Sequence, residues 1–169
     1  MKKRIFAALM AAAMLFSAAG CSGGSNGSDK KIQIGVIQLI AHDALDKSYD
    51  GFVQALKDGG YGEDKAEIIF QNAQGETANL STIADQYVGK NVDLIFAIAT
   101  PAAQAVAGKT SDIPIIGTAV TDFAAAGLVN SNDDPETNVS GTTDMNPIEG
   151  QLDLLFELAP DTKTVGFIY

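Results

Sequence analysis

Val92-Asp93-Leu94-Ile95-Phe96-Ala97-Ile98-Ala99-Thr100-Pro101-Ala102-Ala103 sets the architecture of this chain. Val92 to Ala99 is almost continuously apolar, as a strand is when both of its faces are covered. Thr100-Pro101 then opens a helix, with Thr as the N-cap and Pro at the first helical position. A buried strand running straight into a helix is half of a βαβ unit, and the pattern repeats on both sides of it.

Upstream, Ile32 to Ile40 is a first strand rich in Ile and Val. Ala44 to Lys57 follows, with Leu45, Tyr49, Phe52, Val53 and Leu56 on one helical stripe, and Gly59-Gly60 as a stop. Glu67 to Phe70 is a second strand. Thr77 to Gly89 is a second helix, carried by Leu80, Ile83, Ala84, Tyr87 and Val88. Downstream, Ile113 to Val120 is a fourth strand, Asp122 caps a short turn through Ala126, and Asn138 to Thr142 is a fifth strand. This alternation predicts an α/β fold, a doubly wound parallel sheet with right-handed crossovers.

Asn146-Pro147-Ile148-Glu149 reads as a further helix start, with Asn as N-cap and Glu three residues on. Leu152, Leu155, Phe156 and Leu158 give it an apolar stripe, Pro160 ends it, and Thr164 to Tyr169 is one more strand of the buried type. Such a strand needs cover on both faces. The expectation is therefore a fragment, with an α/β lobe at 31–145 and residues 146–169 as the crossover helix and first strand of a second, largely missing lobe.

The first twenty residues have the layout of an export signal: basic Lys2, Lys3 and Arg4, an apolar run from Ile5 to Phe16, then small residues to Gly20. That run of 12 residues falls well short of the roughly 20 that span a bilayer. Cys21 is the one cysteine of the chain. Ala18-Ala19-Gly20-Cys21 resembles the lipobox of bacterial lipoproteins, with Ala18 where Leu is more usual. Lipidation of Cys21 accounts for both its solitude and its position; the plain alternative is a free thiol beside an ordinary cleavage site. Residues 21–30 are then the lipidated cysteine and a Gly/Ser-type tether. Gly23-Gly24-Ser25-Asn26-Gly27 matches a hydrolase nucleophile-elbow pattern, but without the strand before it and helix after it that the motif requires.

Loss of residues 1–20 leaves 8 basic against 21 acidic residues, a net charge of −13. That balance excludes binding to nucleic acid through phosphate neutralisation and gives no basic patch for anionic lipid.

Ligands of open parallel sheets bind beyond the carboxyl ends of the strands, and those ends are polar here. They carry Gln38, His42 and Asp43; Gln71, Asn72, Gln74 and Gly75; Thr100; Thr118, Thr121 and Asp122; and Thr142, Thr143 and Asp144. Thr100, Asp122 and Asn146 also serve as helix caps, and Asn72 to Gly75 also serves as a turn. Neutral donors and acceptors with few basic groups suit a neutral or zwitterionic solute. Enzyme chemistry is harder to assemble. No dinucleotide or phosphate-loop glycine motif is present, and one His with one Cys cannot build a zinc site. Asp43, Asp122 and Asp144 are a conceivable carboxylate metal set, as well explained as caps. No metal and no cofactor are expected.

Several segments together resemble the ABC transporter substrate-binding proteins whose relatives include tryptophan- and tyrosine-binding lipoproteins. They are Ile34-Gly35-Val36-Ile37-Gln38, His42-Asp43-Ala44-Leu45-Asp46, Gln71-Asn72-Ala73-Gln74-Gly75 and Ala97 to Gln104. Thr118 to Asp122, Ala126 to Val129 and Val139 to Asp144 complete the set, and Asp43 stands where the family commonly has Pro. The resemblance implies a bilobed, type I periplasmic-binding-protein fold that closes about a hinge on its ligand. It implies cleft residues among Gln38, His42, Asn72, Thr100, Thr121, Asp122 and Asp144, with Thr100 on a ligand carboxylate and Asp122 or Asp144 on an ammonium. It also implies an amino acid as solute, aromatic favoured, ABC permease subunits as partners, and a lipid-anchored place on the outer face of the cell membrane. A sensor domain feeding a signalling receptor and an exported α/β enzyme are the alternatives. Tyr49, Phe52, Phe70, Tyr87 and Phe96 sit at core-type positions, so no aromatic stacking platform is expected in this lobe.

Overall fold

The computed structural model describes residues 30–166. Five strands, β1 (Ile32–Gln38), β2 (Ala66–Asn72), β3 (Leu94–Ile98), β4 (Ile115–Val120) and β5 (Val139–Thr143), alternate with helices except between β4 and β5, which no helix separates. The helices are α1 (Asp43–Asp58), α2 (Thr77–Lys90), α3 (Thr100–Ala107) and α4 (Ile148–Leu158). Every pairing is parallel, and the order across the sheet is β2-β1-β3-β4-β5. The doubly wound α/β fold read from the alternation is the fold observed.

Period-two alternation along the central strands sorts their side chains into two cores. Ile34 and Val36 of β1 join Phe96 and Ile98 of β3, and Leu45, Tyr49, Phe52 and Leu56 of α1 pack on them. The Phe52 and Phe96 rings stack at 3.9 Å. Ile37, Ile95 and Ala97 belong to the other core, with Leu80, Ile83, Ala84 and Tyr87 of α2 and Ala102, Ala103 and Val106 of α3. Tyr87 is the largest fully buried side chain. Its ring lies on Gly35, where an added Cβ would come within 2.8 Å of it. Its hydroxyl sits 2.7 Å from the Val36 carbonyl and 2.8 Å from that of Ile69, donating to one at a time. Burial pushes the phenol's pKa upward.

Helix ends follow local chemistry. Gly59 and Gly60 end α1, Gly60 at φ 79°, and Asn91 in the left-handed region (φ 51°) ends α2. Two capping expectations are corrected. Thr100 is the first residue of α3, not its cap: Ala99 takes that place, and its carbonyl accepts from Ala102 and Ala103. Asn146 likewise lies outside α4, whose cap position is Pro147 with no side-chain bond; the Pro147 carbonyl accepts from Gln151 instead.

Phe70 departs from its core-type reading. It lies on edge strand β2, 40% exposed, against Tyr49 at 4.6 Å. No residue of α4 is buried, and Ile148, Leu152, Leu154, Phe156 and Leu158 are exposed. Of the strand expected over Thr164 to Tyr169, residues 164–166 take no strand conformation. The remainder lies outside the described residues, as do the export signal, Cys21, the tether and its Gly-x-Ser-x-Gly pattern. No helix among the described residues is long and apolar enough to cross a membrane.

Candidate functional site

Because all five strands are parallel, their carboxyl ends share one edge. In the order β2-β1-β3-β4-β5 the connections leave β1 and β3 in opposite directions, which opens a crevice between the loops that follow them. Gln38 stands in register with Asn72 on one side and Ile98 on the other, so β1, β2 and β3 end level.

The expected site residues lie along this edge, at the ends of successive strands. Gln38 is fully buried, and its Nε2 donates to the Ile40 carbonyl and to Asp46 Oδ1. His42 caps α1: its Nδ1 accepts from Ala44 N–H at 3.2 Å. Asn72 Oδ1 accepts from Gln74 N–H at 2.8 Å, an Asx turn that shapes the loop after β2. Between Ile40, Ala41, Asn72 and Gln74 lies a concavity of about 530 Å³. Thr100 is half-buried at the start of α3. Pro101 has no N–H, so the amide and hydroxyl of Thr100 are the donors this helix start presents at the edge.

On the β4–β5 side, Thr118 and Thr142 hydroxyls lie 3.1 Å apart, and the Thr143 hydroxyl donates to the exposed Thr121 carbonyl. Asp122 Oδ1 accepts from Ala125 N–H and from the Asn132 side-chain amide, both at 3.0 Å. The Ala125 bond foremost, then Asn132, hold the Asp122 carboxyl below its ordinary pKa. Asp122 is thus an ionised cap, as its position predicts. Asp144 is exposed and ties to the fold through its N–H on the Val120 carbonyl. No group of three or more His, Cys, Asp or Glu side chains able to hold a metal occurs among the described residues.

The sequence reading missed the backbone of this edge. Gln74 (φ 56°), Ala99 (φ 86°) and Ala119 (φ 53°) all take positive φ, one each near the ends of β2, β3 and β4. Ala99, with ψ 150°, lies in a region that glycine alone occupies comfortably. Nothing in the residue types signals this, since alanine normally avoids it. Strained backbone gathers at functional edges, where the surrounding structure holds it in place. A larger concavity of about 550 Å³ opens elsewhere, between Tyr49, Leu56 and Tyr61 and the starts of β1 and β2 at Lys31 and Ala66. It has neither the strained backbone nor a position at the reversal point, so the carboxyl edge is the better candidate.

Parallel order β2-β1-β3-β4-β5 is common to several doubly wound folds; the likeness to solved substrate-binding proteins makes this one lobe of a periplasmic-binding-protein fold. The chain belongs to the ABC transporter substrate binding protein family, whose profile matches residues 33–169. It is 45% identical to a tyrosine-binding protein of Clostridioides difficile strain R20291, over 98% of this chain and 50% of that protein. The ligand-free, open structure of a Clostridium difficile substrate binding protein with adhesive properties is 47% identical, with a TM-score of 0.72 over 76% of this chain and 44% of that one. A Streptococcus pneumonia ABC domain solved in complex with L-Trp is 39% identical, with a TM-score of 0.74 over 78% and 44% of the two chains. The chain spans about half the length of the curated relative it matches. The first two relatives are described as binding proteins, for tyrosine and for a substrate.

Proposed function

We propose that this chain supplies one lobe of a lipid-anchored, extracytoplasmic binding protein that delivers an amino acid, aromatic by preference, to an ABC importer. The observation that carries the reading is the polar carboxyl edge at the β1/β3 reversal of the strand order, in a chain similar to a domain solved in complex with L-Trp. Thr100 at the start of α3 faces the ligand carboxylate, since a helix start favours an anion. Asp122 or Asp144 faces the ammonium, and His42, Asn72 and Thr121 line the rest of this half. A second lobe, reached through residues 146–169, covers the bare apolar side chains of α4 and closes over the solute by hinge motion. Cys21 carries the lipid, and permease subunits receive the closed form.

A thermal-shift screen of the full-length protein against the amino acids and common sugars tests this. Binding to the native state raises the melting temperature by mass action. A rise with tryptophan, tyrosine or phenylalanine is expected. A rise with sugars alone, or with none of these solutes, would overturn the amino-acid assignment. Undiminished affinity after Asp122→Asn and Asp144→Asn together would overturn the ammonium contact.

A further inference from the structure

Gln38 is the one buried polar or charged residue among those described. Its Nε2 has two hydrogens, and both are held close by: one on the Ile40 carbonyl at 2.8 Å, the other on Asp46 Oδ1 at 2.7 Å in the first turn of α1. Both partners are acceptors, so turning the amide over would set oxygen against oxygen. The other half of the amide, Oε1, is buried with no hydrogen-bond partner. An unpaired buried acceptor is destabilising, and a methionine would fill the same space without that cost. What the glutamine contributes is therefore its pair of donated bonds.

Those bonds act on one short loop. Leu39 N–H donates to the Ile98 carbonyl, and the Leu39 carbonyl accepts from Gly75, which pins the loop's first residue to β3 and to the turn after β2. His42 at the far end is fixed as the cap of α1. Residues 40 and 41 lie between these anchors and form one wall of the edge concavity, and Ile40 is held through Gln38. We propose that Gln38 is a positioning residue: it locks the loop 39–42 between β1 and α1, so that the edge concavity presents a fixed wall, and does not itself touch the solute. This rests on the solute-binding reading above.

The test is Gln38→Glu in the full-length protein. The change keeps the volume but sets a carboxylate against the Ile40 carbonyl and the Asp46 carboxylate. Amide hydrogen exchange of residues 39–46 in the solute-free protein is expected to quicken. Affinity for L-tryptophan and L-tyrosine should fall about tenfold, by the same factor for both. Adding Asp46→Asn gives the new carboxylate a donor and should slow the exchange again and recover several-fold of the affinity. If Gln38→Glu does not fold, Gln38→Met removes both donors without adding charge and should show the same quickened exchange. Unchanged exchange, a loss that separates tryptophan from tyrosine, or no recovery with Asp46→Asn would overturn the proposal. Failure of the unsubstituted protein to bind either amino acid would overturn the aromatic amino-acid assignment instead, and the exchange arm would still decide the role of Gln38.

Discussion

Ala99 and Asp122 show how single residues on the carboxyl edge are bound to the fold. Ala99 holds φ 86° and ψ 150°, a conformation costing about 1–3 kcal/mol in a residue with a Cβ. Ala99→Gly relieves that strain and gives back part of the gain in chain entropy. Denaturant unfolding should therefore show a stabilisation of about 1 kcal/mol. Asp122 titrates below its ordinary 3.8 because Ala125 N–H, then Asn132, bond to the ionised form. A depressed folded-state pKa adds stability above the unfolded value, and that stability is lost as pH falls through the folded one. Asp122→Asn keeps an acceptor for Ala125 but loses the charge. Melting curves should place the substituted protein below the unsubstituted one at pH 7, with the gap closing as the pH drops below 3.8. A gap independent of pH would refute this. The cap role of Asp122 was legible because carboxylates before short helical turns behave alike wherever they occur. The strain at Ala99 was not, because it is imposed by the β3–α3 junction and leaves no mark on residue type.

At the scale of elements, hydrophobic period carried most of the information. The stripe of Leu45, Tyr49, Phe52 and Leu56 reads as one helical face, and that face packs on Ile34, Val36, Phe96 and Ile98. Boundaries were less legible. Thr100 and Asn146 are good capping types, yet the helices start where carbonyls of Ala99 and Pro147 first find donors. Phe70 looks like core in sequence, and only the strand order, which makes β2 an edge, leaves it 40% exposed. The docking of α2 turns on a contact that no periodicity shows, the Tyr87 ring lying on Gly35. Gly35→Ala would put a methyl 2.8 Å from a fully buried ring that has no room to withdraw. The expected cost is about 1–3 kcal/mol by chemical denaturation. A change within experimental error would show that this contact does not govern how α2 sits.

For the whole molecule, the parallel sheet places every polar strand end on one edge, the proposed binding surface. The edge itself was legible as a set of strand-end residues, because the strands run parallel and ligands of such sheets bind beyond their carboxyl ends. Its division of labour was not: Gln38 reads in sequence like any other polar strand end, and only its burial and its two bonds set it apart. Solute identity is still further from the sequence, since the aromatic side chains of this lobe do not gather at the carboxyl edge. The most direct test is amide chemical-shift mapping on the isotopically labelled full-length protein during titration with L-tryptophan. Saturable shifts at residues 39–43, 72–75, 99–102, 118–122 and 142–144 are the predicted result. Shifts confined to the concavity around Tyr49 and Tyr61, or scattered without saturation, would contradict the placement of the site on the carboxyl edge.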